Sequence, residues 1–216
     1  LLLLIPFAVA LFYGQGDASA FLYTILIMLP ISIILTRVKG KKKEIYAKEG
    51  FLTVGLAWIV ISFFGALPFV FNGAIPSFID AFFETSSGFT TTGASILTEI
   101  QSLPKGILFW RSFTHWVGGM GFLIFILALM PSFGGNTIHL LKAESPGPTP
   151  GKIVPKIKQT AKILYAIYFV LTVIETIFLK FAGMSWYDAI IHALGTAGTG
   201  GFSNMNASVA AFNNPT

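Results

Sequence analysis

The chain has 216 residues, of which 54% are hydrophobic and 11% are charged, and its mean hydropathy is +0.77. A soluble domain carries about 25% charged residues, so this composition excludes an ordinary soluble protein and predicts one that lies in lipid. The net charge of +5 raises the alternative of nucleic-acid binding, but six of the 14 lysines and arginines fall within residues 37–48 and five within 142–162. Basic loops between apolar segments are what the positive-inside rule of membrane proteins produces. Because this rule accounts for the positive charge, we expect no nucleic-acid partner.

In chain order, apolar segments of about 20 residues, long enough to cross a bilayer, alternate with basic loops and with two shorter, more polar segments. The predicted organisation is two N-terminal transmembrane helices with the first one truncated (1–37), a basic loop (38–50), a first helix–pore-loop–helix unit (51–131), a second basic loop (132–159) and a second unit that lacks its closing helix (160–216). The positive-inside rule places the basic stretches 37–50 and 142–162 in the cytoplasm, so both short polar segments lie on the outer side.

The two short segments, residues 76–95 and 185–203, match each other without a gap at an offset of 108 residues. Identical pairs include Ser77 with Ser185, Asp80 with Asp188, Thr91 with Thr199 and Gly93 with Gly201. Each segment predicts a short capped helix followed by a loop without helical periodicity. Because internal repeats set the architecture, the chain predicts two parallel units, each with a re-entrant loop.

Non-helical backbone at membrane depth needs partners for its carbonyl groups, and a file of partly dehydrated cations is one such partner. A short helix that enters from outside points its partly negative C-terminal end inward, which also favours a cation. Glycine permits unusual backbone angles, and threonine hydroxyls can brace the loop or offer oxygen atoms. The predicted ion-binding residues are Thr90, Thr91, Thr92, Gly93, Gly198, Thr199, Gly200 and Gly201. The alternative is a glycine-rich helix-packing loop, which leaves polar backbone at membrane depth unexplained.

Ionisable residues inside apolar segments are candidates for the pore mouth or for a relay. Arg111 and His115 share a helix face, where they could bias ions at the pore mouth. The alternative, which we prefer, is that Arg111 snorkels to the membrane surface and His115 packs against its neighbours. Glu84 aligns with His192 in the repeat, and either residue braces its helix or shapes the field at the entry. Glu175 is a proton or cation relay or half of a structural ion pair, and we favour the pair.

Three glycines follow the first loop, Gly118, Gly119 and Gly121, and they predict close helix packing, with a bend near a gate as the alternative. The chain has no cysteine, and its three histidines show no metal-ligand spacing. Because nucleophile elbows, phosphate loops and paired-carboxylate motifs are also missing from the sequence, we expect no enzyme.

Four stretches carry a family resemblance: SSGFTTTGAS at 86–95, FWRSFTHWVGGMGFLIF at 109–125, LLKAESPGP at 140–148 and GTAGTGGFS at 195–203. With them the chain resembles the TrkH/TrkG/KtrB superfamily of potassium-uptake proteins, and within it the TrkH branch, over nearly its whole length. The resemblance implies an all-α membrane protein built from four potassium-channel-like helix–pore-loop–helix units around one pore, preceded by two extra transmembrane helices. By this resemblance the chain is an N-terminal fragment with two of the four units.

The resemblance also implies potassium uptake as the pore-forming subunit of a Trk-type system, with potassium as the substrate and no cofactor. Potassium would be held by backbone carbonyls, those of Thr91, Thr92, Gly93, Thr199, Gly200 and Gly201. Gly93 favours potassium, because the plant-type relatives with sodium preference carry serine at the first filter glycine. The alternatives are a sodium or mixed monovalent cation transporter on the same scaffold and a non-conducting membrane scaffold subunit.

The implied setting is the plasma (inner) membrane of a bacterium or archaeon, with membrane lipid around a multi-pass protein. The implied partners are a second copy in a homodimer and a TrkA- or KtrA-type cytoplasmic nucleotide-binding regulatory subunit. Channel-like conduction and ion-coupled symport both stay open.

Overall fold

The computed structural model describes residues 1–37, 47–121 and 153–212, and within these ranges it contains helices and no β-strand. The helices are α1 (Leu4–Tyr13), α2 (Ala18–Arg37), α3 (Ala47–Asn72), α4 (Phe78–Phe89), α5 (105–121), α6 (Ile153–Phe181) and α7 (Trp186–Ala197), followed by a 3₁₀ helix (Ser208–Phe212). Within these ranges, three stretches are long and apolar enough to cross a membrane, Ala18–Arg37, Leu52–Asn72 and Ala161–Phe181. The predicted all-α membrane architecture is confirmed.

Helix ends differ from the predicted boundaries in two places. Helix α3 begins at Ala47 and α6 begins at Ile153, so both extend into stretches predicted as basic loops. The rest of those loops, and residues 122–131 of the predicted span after the first polar segment, lie outside the described residues.

Helices α4 and α7 are the two short helices predicted from the repeat, and their bounds coincide at the offset of 108 residues. Each has 12 residues, about 18 Å of helix, which is too short for a hydrocarbon core of about 30 Å. The Ser77 side chain accepts a hydrogen bond from the N–H of Asp80, and Ser185 accepts one from Asp188, so the same serine cap begins both helices. Helix α4 runs to Phe89, so the loop that follows it begins at Thr90.

The core is formed by residues of α3, α4 and α5, and residues of α1, α2 and α7 join it. Aromatic rings fill it, with Phe89 edge-on to Trp110 and Phe113 stacked between Phe109 and Trp116. The indole N–H of Trp110 donates to the carbonyl of Gly65 over 2.9 Å, which satisfies the polar end of a buried ring. Large apolar side chains of α2, α3 and α6 point outward, as expected of a surface that faces lipid: Leu26, Ile34, Leu35, Leu56 and Phe178 are examples.

Close packing explains the three glycines of α5. A Cβ atom at Gly118 would overlap the carbonyl of Phe89, and one at Gly119 would meet the hydroxyl of Tyr168. At Gly121 the neighbour is the ring of Trp58. Each glycine therefore lets a different element approach α5, and the expectation of close packing is confirmed.

Candidate ion-binding loops

Two loops follow the short helices, loop 1 (Thr90–Gly93) after α4 and loop 2 (Gly198–Gly201) after α7. They share an unusual backbone: φ is +56° at Thr91 and +61° at Thr199, and +76° at both Gly93 and Gly201. Left-handed backbone costs a residue with a side chain about 1–2 kcal/mol, so a threonine in this region needs compensation from its surroundings. Because the same departures recur 108 residues apart, they belong to the repeat.

The N–H groups of loop 1 turn back to the helix that precedes them. Thr90 donates to the carbonyl of Ser86 over 2.9 Å, Thr91 to Gly88 over 3.0 Å and Thr92 to Ser87 over 2.9 Å. These three bonds satisfy the C-terminal carbonyls of α4, which lack partners inside the helix.

Loop 2 repeats the arrangement at equivalent positions. Gly198 donates to Leu194 over 3.2 Å, Thr199 to Thr196 over 2.8 Å, and both Gly200 and Gly201 to Gly195 over 3.1 Å. The pattern thus survives although loop 2 has glycines where loop 1 has Thr90 and Thr92, so it follows from the backbone path.

The direction of the loop carbonyls follows from these bonds. No peptide bond among the described residues is cis, and in a trans peptide the carbonyl of one residue points opposite to the N–H of the next. Each N–H that turns back to its helix therefore sends the preceding carbonyl away from it. Among the residues of the two loops, the oxygens so directed are those of Thr90, Thr91, Gly198, Thr199 and Gly200. Within the described residues, no backbone hydrogen bond ends on any of them.

This set overlaps the predicted ligand set without matching it. Thr91, Thr199 and Gly200 are common to both, and the backbone geometry adds Thr90 and Gly198. For Thr92 and Gly93 the hydrogen bonds of the described residues set no carbonyl direction. The carbonyl of Gly201 points away from His115, because the N–H of Phe202 points to His115 Nδ1 over 3.4 Å.

The threonine hydroxyls of loop 1 act as braces. Thr90 Oγ1 donates to the carbonyl of Ser86 over 2.7 Å and shares a 2.8 Å hydrogen bond with Thr92 Oγ1. Of the two roles predicted for these hydroxyls, bracing is the one the geometry displays.

The two loops lie directly against each other and against α5. A Cβ atom at Gly93 would collide with the carbonyl oxygen of Gly200. On the other side of loop 2, Gly198 and Gly200 lie against His115, whose side chain is fully buried. The Phe202 N–H points to His115 Nδ1 at 3.4 Å, and the two rings are 3.9 Å apart. His115 is therefore a packing residue behind loop 2, as we preferred.

Arg111 does not snorkel, and that prediction is wrong. It is 2% exposed, and its Nε donates to Glu84 Oε1 over 2.6 Å in an ion pair in which both side chains are buried. Glu84 also accepts from the hydroxyl of Ser95 over 3.0 Å and from the N–H of Ile96 over 2.9 Å. Arg111 Nη1 donates to the carbonyl of Ser203 over 2.8 Å. An arginine in a membrane segment must avoid the cost of a buried, unpaired charge. Snorkelling achieves this by placing the charge at the membrane surface, whereas Arg111 achieves it by pairing with a buried carboxylate.

His192 occupies the position of Glu84 in the second unit and makes the equivalent contact. Its Nε2 lies 2.9 Å from the hydroxyl of Ser203, the residue that aligns with Ser95, and its Nδ1 lies 2.8 Å from the carbonyl of Asp188. Because both side chains are buried and hydrogen-bonded behind a loop, their geometry is that of a brace.

Glu175 lies half-buried on α6 with its carboxylate beside the side chain of Thr196, near the end of α7. The favoured ion pair is not seen: Lys180 donates to the carbonyl of Met184 over 3.2 Å, and no lysine or arginine in the described ranges pairs with Glu175.

Three residues of this region had no predicted role: Ser95, Phe202 and Ser203. The repeat aligns Ser95 with Ser203, which is a signal, because a serine retained at one position of both units is available for a shared contact. Phe202 carries no such signal, since its position in the first unit is Ala94.

The chain is similar to known cation transport proteins. A sequence profile of the TrkH family, described as a cation transport protein, matches residues 19–216. The chain is 44% identical to the Trk system potassium uptake protein TrkH of Escherichia coli (strain K12), over 99% of this chain and 45% of that protein. It is 33% identical to TrkG of the same organism, over 97% of this chain and 44% of that protein.

The fold is similar as well. The crystal structure of the potassium transporter TrkH from Vibrio parahaemolyticus matches with a TM-score of 0.80 and 36% sequence identity, over 96% of this chain and 42% of that chain. The chain thus spans less than half the length of these relatives.

Proposed function

Because the chain belongs to the TrkH family of cation transport proteins, we propose that it forms part of a potassium-uptake pore in which loops 1 and 2 hold the ion. The relatives named for potassium uptake support the ion, and the loops support the mechanism. Both the homodimer and the TrkA- or KtrA-type regulator expected from the resemblance belong to the same proposal, as does the placement of the loops on the outer side.

One observation carries the proposal: five carbonyl oxygens in two matched loops turn away from their helices and receive no backbone hydrogen bond within the described residues. Carbonyl groups at membrane depth are stable only with partners, and rings of backbone carbonyls replace the hydration shell of potassium in channel filters. In each loop the C-terminal end of a short helix adds partial negative charge, which further stabilises a cation.

The contact between Gly93 and Gly200 supports a shared site. Two loops that meet backbone to backbone bring their carbonyls to one place, whereas separate packing loops have no need to touch. A serine at Gly93 would displace the carbonyl of Gly200 and alter the geometry on which selection depends.

The test is rubidium uptake in cells that lack their own potassium uptake and express the complete reading frame that encodes this chain. The proposal predicts uptake that potassium competes for strongly and sodium weakly, and it predicts that Gly93→Ser or Gly201→Ser reduces this discrimination. Equal competition by sodium would favour the mixed-cation alternative. No uptake from a frame that holds only these two units, in protein that reaches the membrane, would favour the scaffold alternative.

A further inference from the structure

A continuous series of buried polar contacts runs behind both loops. It begins at the segment after loop 1, where Ser95 and Ile96 donate to Glu84, and crosses to α5 through the Glu84–Arg111 pair. Arg111 then donates to the carbonyl of Ser203, just after loop 2, whose hydroxyl lies 2.9 Å from His192 of α7.

Arg111 is the point where the two units meet in this series. Its guanidinium carbon lies 3.6 Å from the ring centroid of Phe202. Its Nε donates to Glu84 of the first helix–loop–helix unit, and its Nη1 donates to Ser203 of the second. A planar guanidinium with several donors in a fixed fork suits this double role, whereas a lysine has a single nitrogen on a flexible stem.

The series holds the chain on both sides of the loops. Glu84 fixes Ser95 and Ile96, two and three residues after Gly93, and Arg111 fixes Ser203, two residues after Gly201. Since Gly93 and Gly200 touch, a change in the distance between these anchors alters how the loop carbonyls face each other.

We infer that Arg111 is a positioning residue for ion selection, an inference that rests on the proposed function. Together with Glu84, Arg111 sets the placement of loop 1 relative to loop 2 and does not touch the ion. Arg111 and Glu84 are thereby coupled, and each depends on the other for its effect on the loops. Removal of one partner leaves an uncompensated buried charge, so the two substitutions together are less harmful than their separate effects predict.

The informative variant is Arg111→Lys, which keeps the positive charge for Glu84 but gives up the second, directed bond to Ser203. Glu84→Gln is the companion, because it keeps the shape of the side chain and removes its charge. Ser112→Ala is the matched control: Ser112 is the next residue of α5, is also buried, and its hydroxyl has no hydrogen-bond partner among the described residues.

The experiment measures sodium competition against rubidium uptake for the complete reading frame, for the three single variants, and for Arg111→Met alone and together with Glu84→Gln, a pair of substitutions that removes both charges. Membrane expression and thermal stability in detergent are measured on the same samples. We expect about a tenfold loss of potassium-over-sodium discrimination for Arg111→Lys, the size of one hydrogen bond to a charged group, and no change for Ser112→Ala. The double variant is expected to lose less than the product of the two single losses.

Discrimination that stays intact in Arg111→Lys and Glu84→Gln while stability falls would show a structural role and overturn the inference. If Arg111→Lys does not fold, Glu84→Gln alone decides by the same criterion. A parent protein that does not discriminate between the ions fails the proposed function, whereas a discriminating parent with unaffected variants fails the inference alone.

Discussion

Substitution of Gly93 should affect both the stability of the protein and its ion selection. Alanine at this position meets two obstacles. The φ of Gly93 is +76°, in the left-handed region, which costs a residue with a side chain about 1–2 kcal/mol. The new methyl group would also collide with the carbonyl oxygen of Gly200, and because that atom belongs to a backbone it cannot simply rotate away.

Gly73 offers a control with the first obstacle only. Its φ is +80°, and no atom of the described residues lies within 4 Å of an added Cβ. We therefore expect Gly73→Ala to cost about 1–2 kcal/mol. Gly93→Ala should cost that amount and about 1–3 kcal/mol more, the usual penalty for overpacking.

The assay compares the thermal stability of the two variants in detergent with their potassium-over-sodium discrimination in rubidium uptake. Gly93→Ala should be the less stable variant and should lose discrimination, because the Gly200 carbonyl must move. Gly73→Ala should lose stability alone. Equal stability losses together with unchanged discrimination in Gly93→Ala would refute both the contact between the loops and its role in selection.

Two further predictions concern packing and capping. Gly119→Ala should destabilise the protein because its Cβ would meet the Tyr168 hydroxyl, and Tyr168→Phe should recover part of the loss; a suppressor effect that is missing in thermal denaturation would contradict this contact. Ser77→Ala removes the cap of α4 and should cost about 0.5–2 kcal/mol, as should Ser185→Ala for α7; a larger effect on ion discrimination than on stability would argue against a simple cap.

Local features of the fold were predictable from the sequence because their causes are local. The short helices follow from the length of their apolar stretch and from a serine and an aspartate at the start, either of which can form a cap. In the structure the serines Ser77 and Ser185 form it. The repeat also predicts that the two loops share a backbone path, and the φ angles of Thr91 and Thr199 differ by only 5°.

Contacts between distant segments were not predictable in the same way. The sequence favours a snorkelling Arg111 because it shows an arginine near the end of a span. It does not show that Glu84, 27 residues earlier, lies opposite this arginine. The role of Gly93 in the loop contact depends on Gly200, which only the packing of the two units brings near.

The surroundings of Glu175 also depend on a contact between distant segments. The favoured ion pair needed a lysine or arginine elsewhere in the protein, since the nearest cation in sequence, Lys180, is five residues away and not at the spacing of a helical pair. In the fold, Lys180 donates to the carbonyl of Met184, just past the end of α6, and the neighbour of Glu175 is Thr196 of α7. Helical spacing ranks partners on one helix but does not rank them against a second helix.

Whether loops 1 and 2 hold the ion can be tested by locating the ion itself. Crystals of the protein encoded by the complete reading frame, grown in rubidium, would reveal it by anomalous scattering. We expect peaks between loops 1 and 2, coordinated by carbonyl oxygens that include those of Thr91 and Thr199. Loops that carry no peak, with these carbonyls hydrogen-bonded to other parts of the protein, would contradict it.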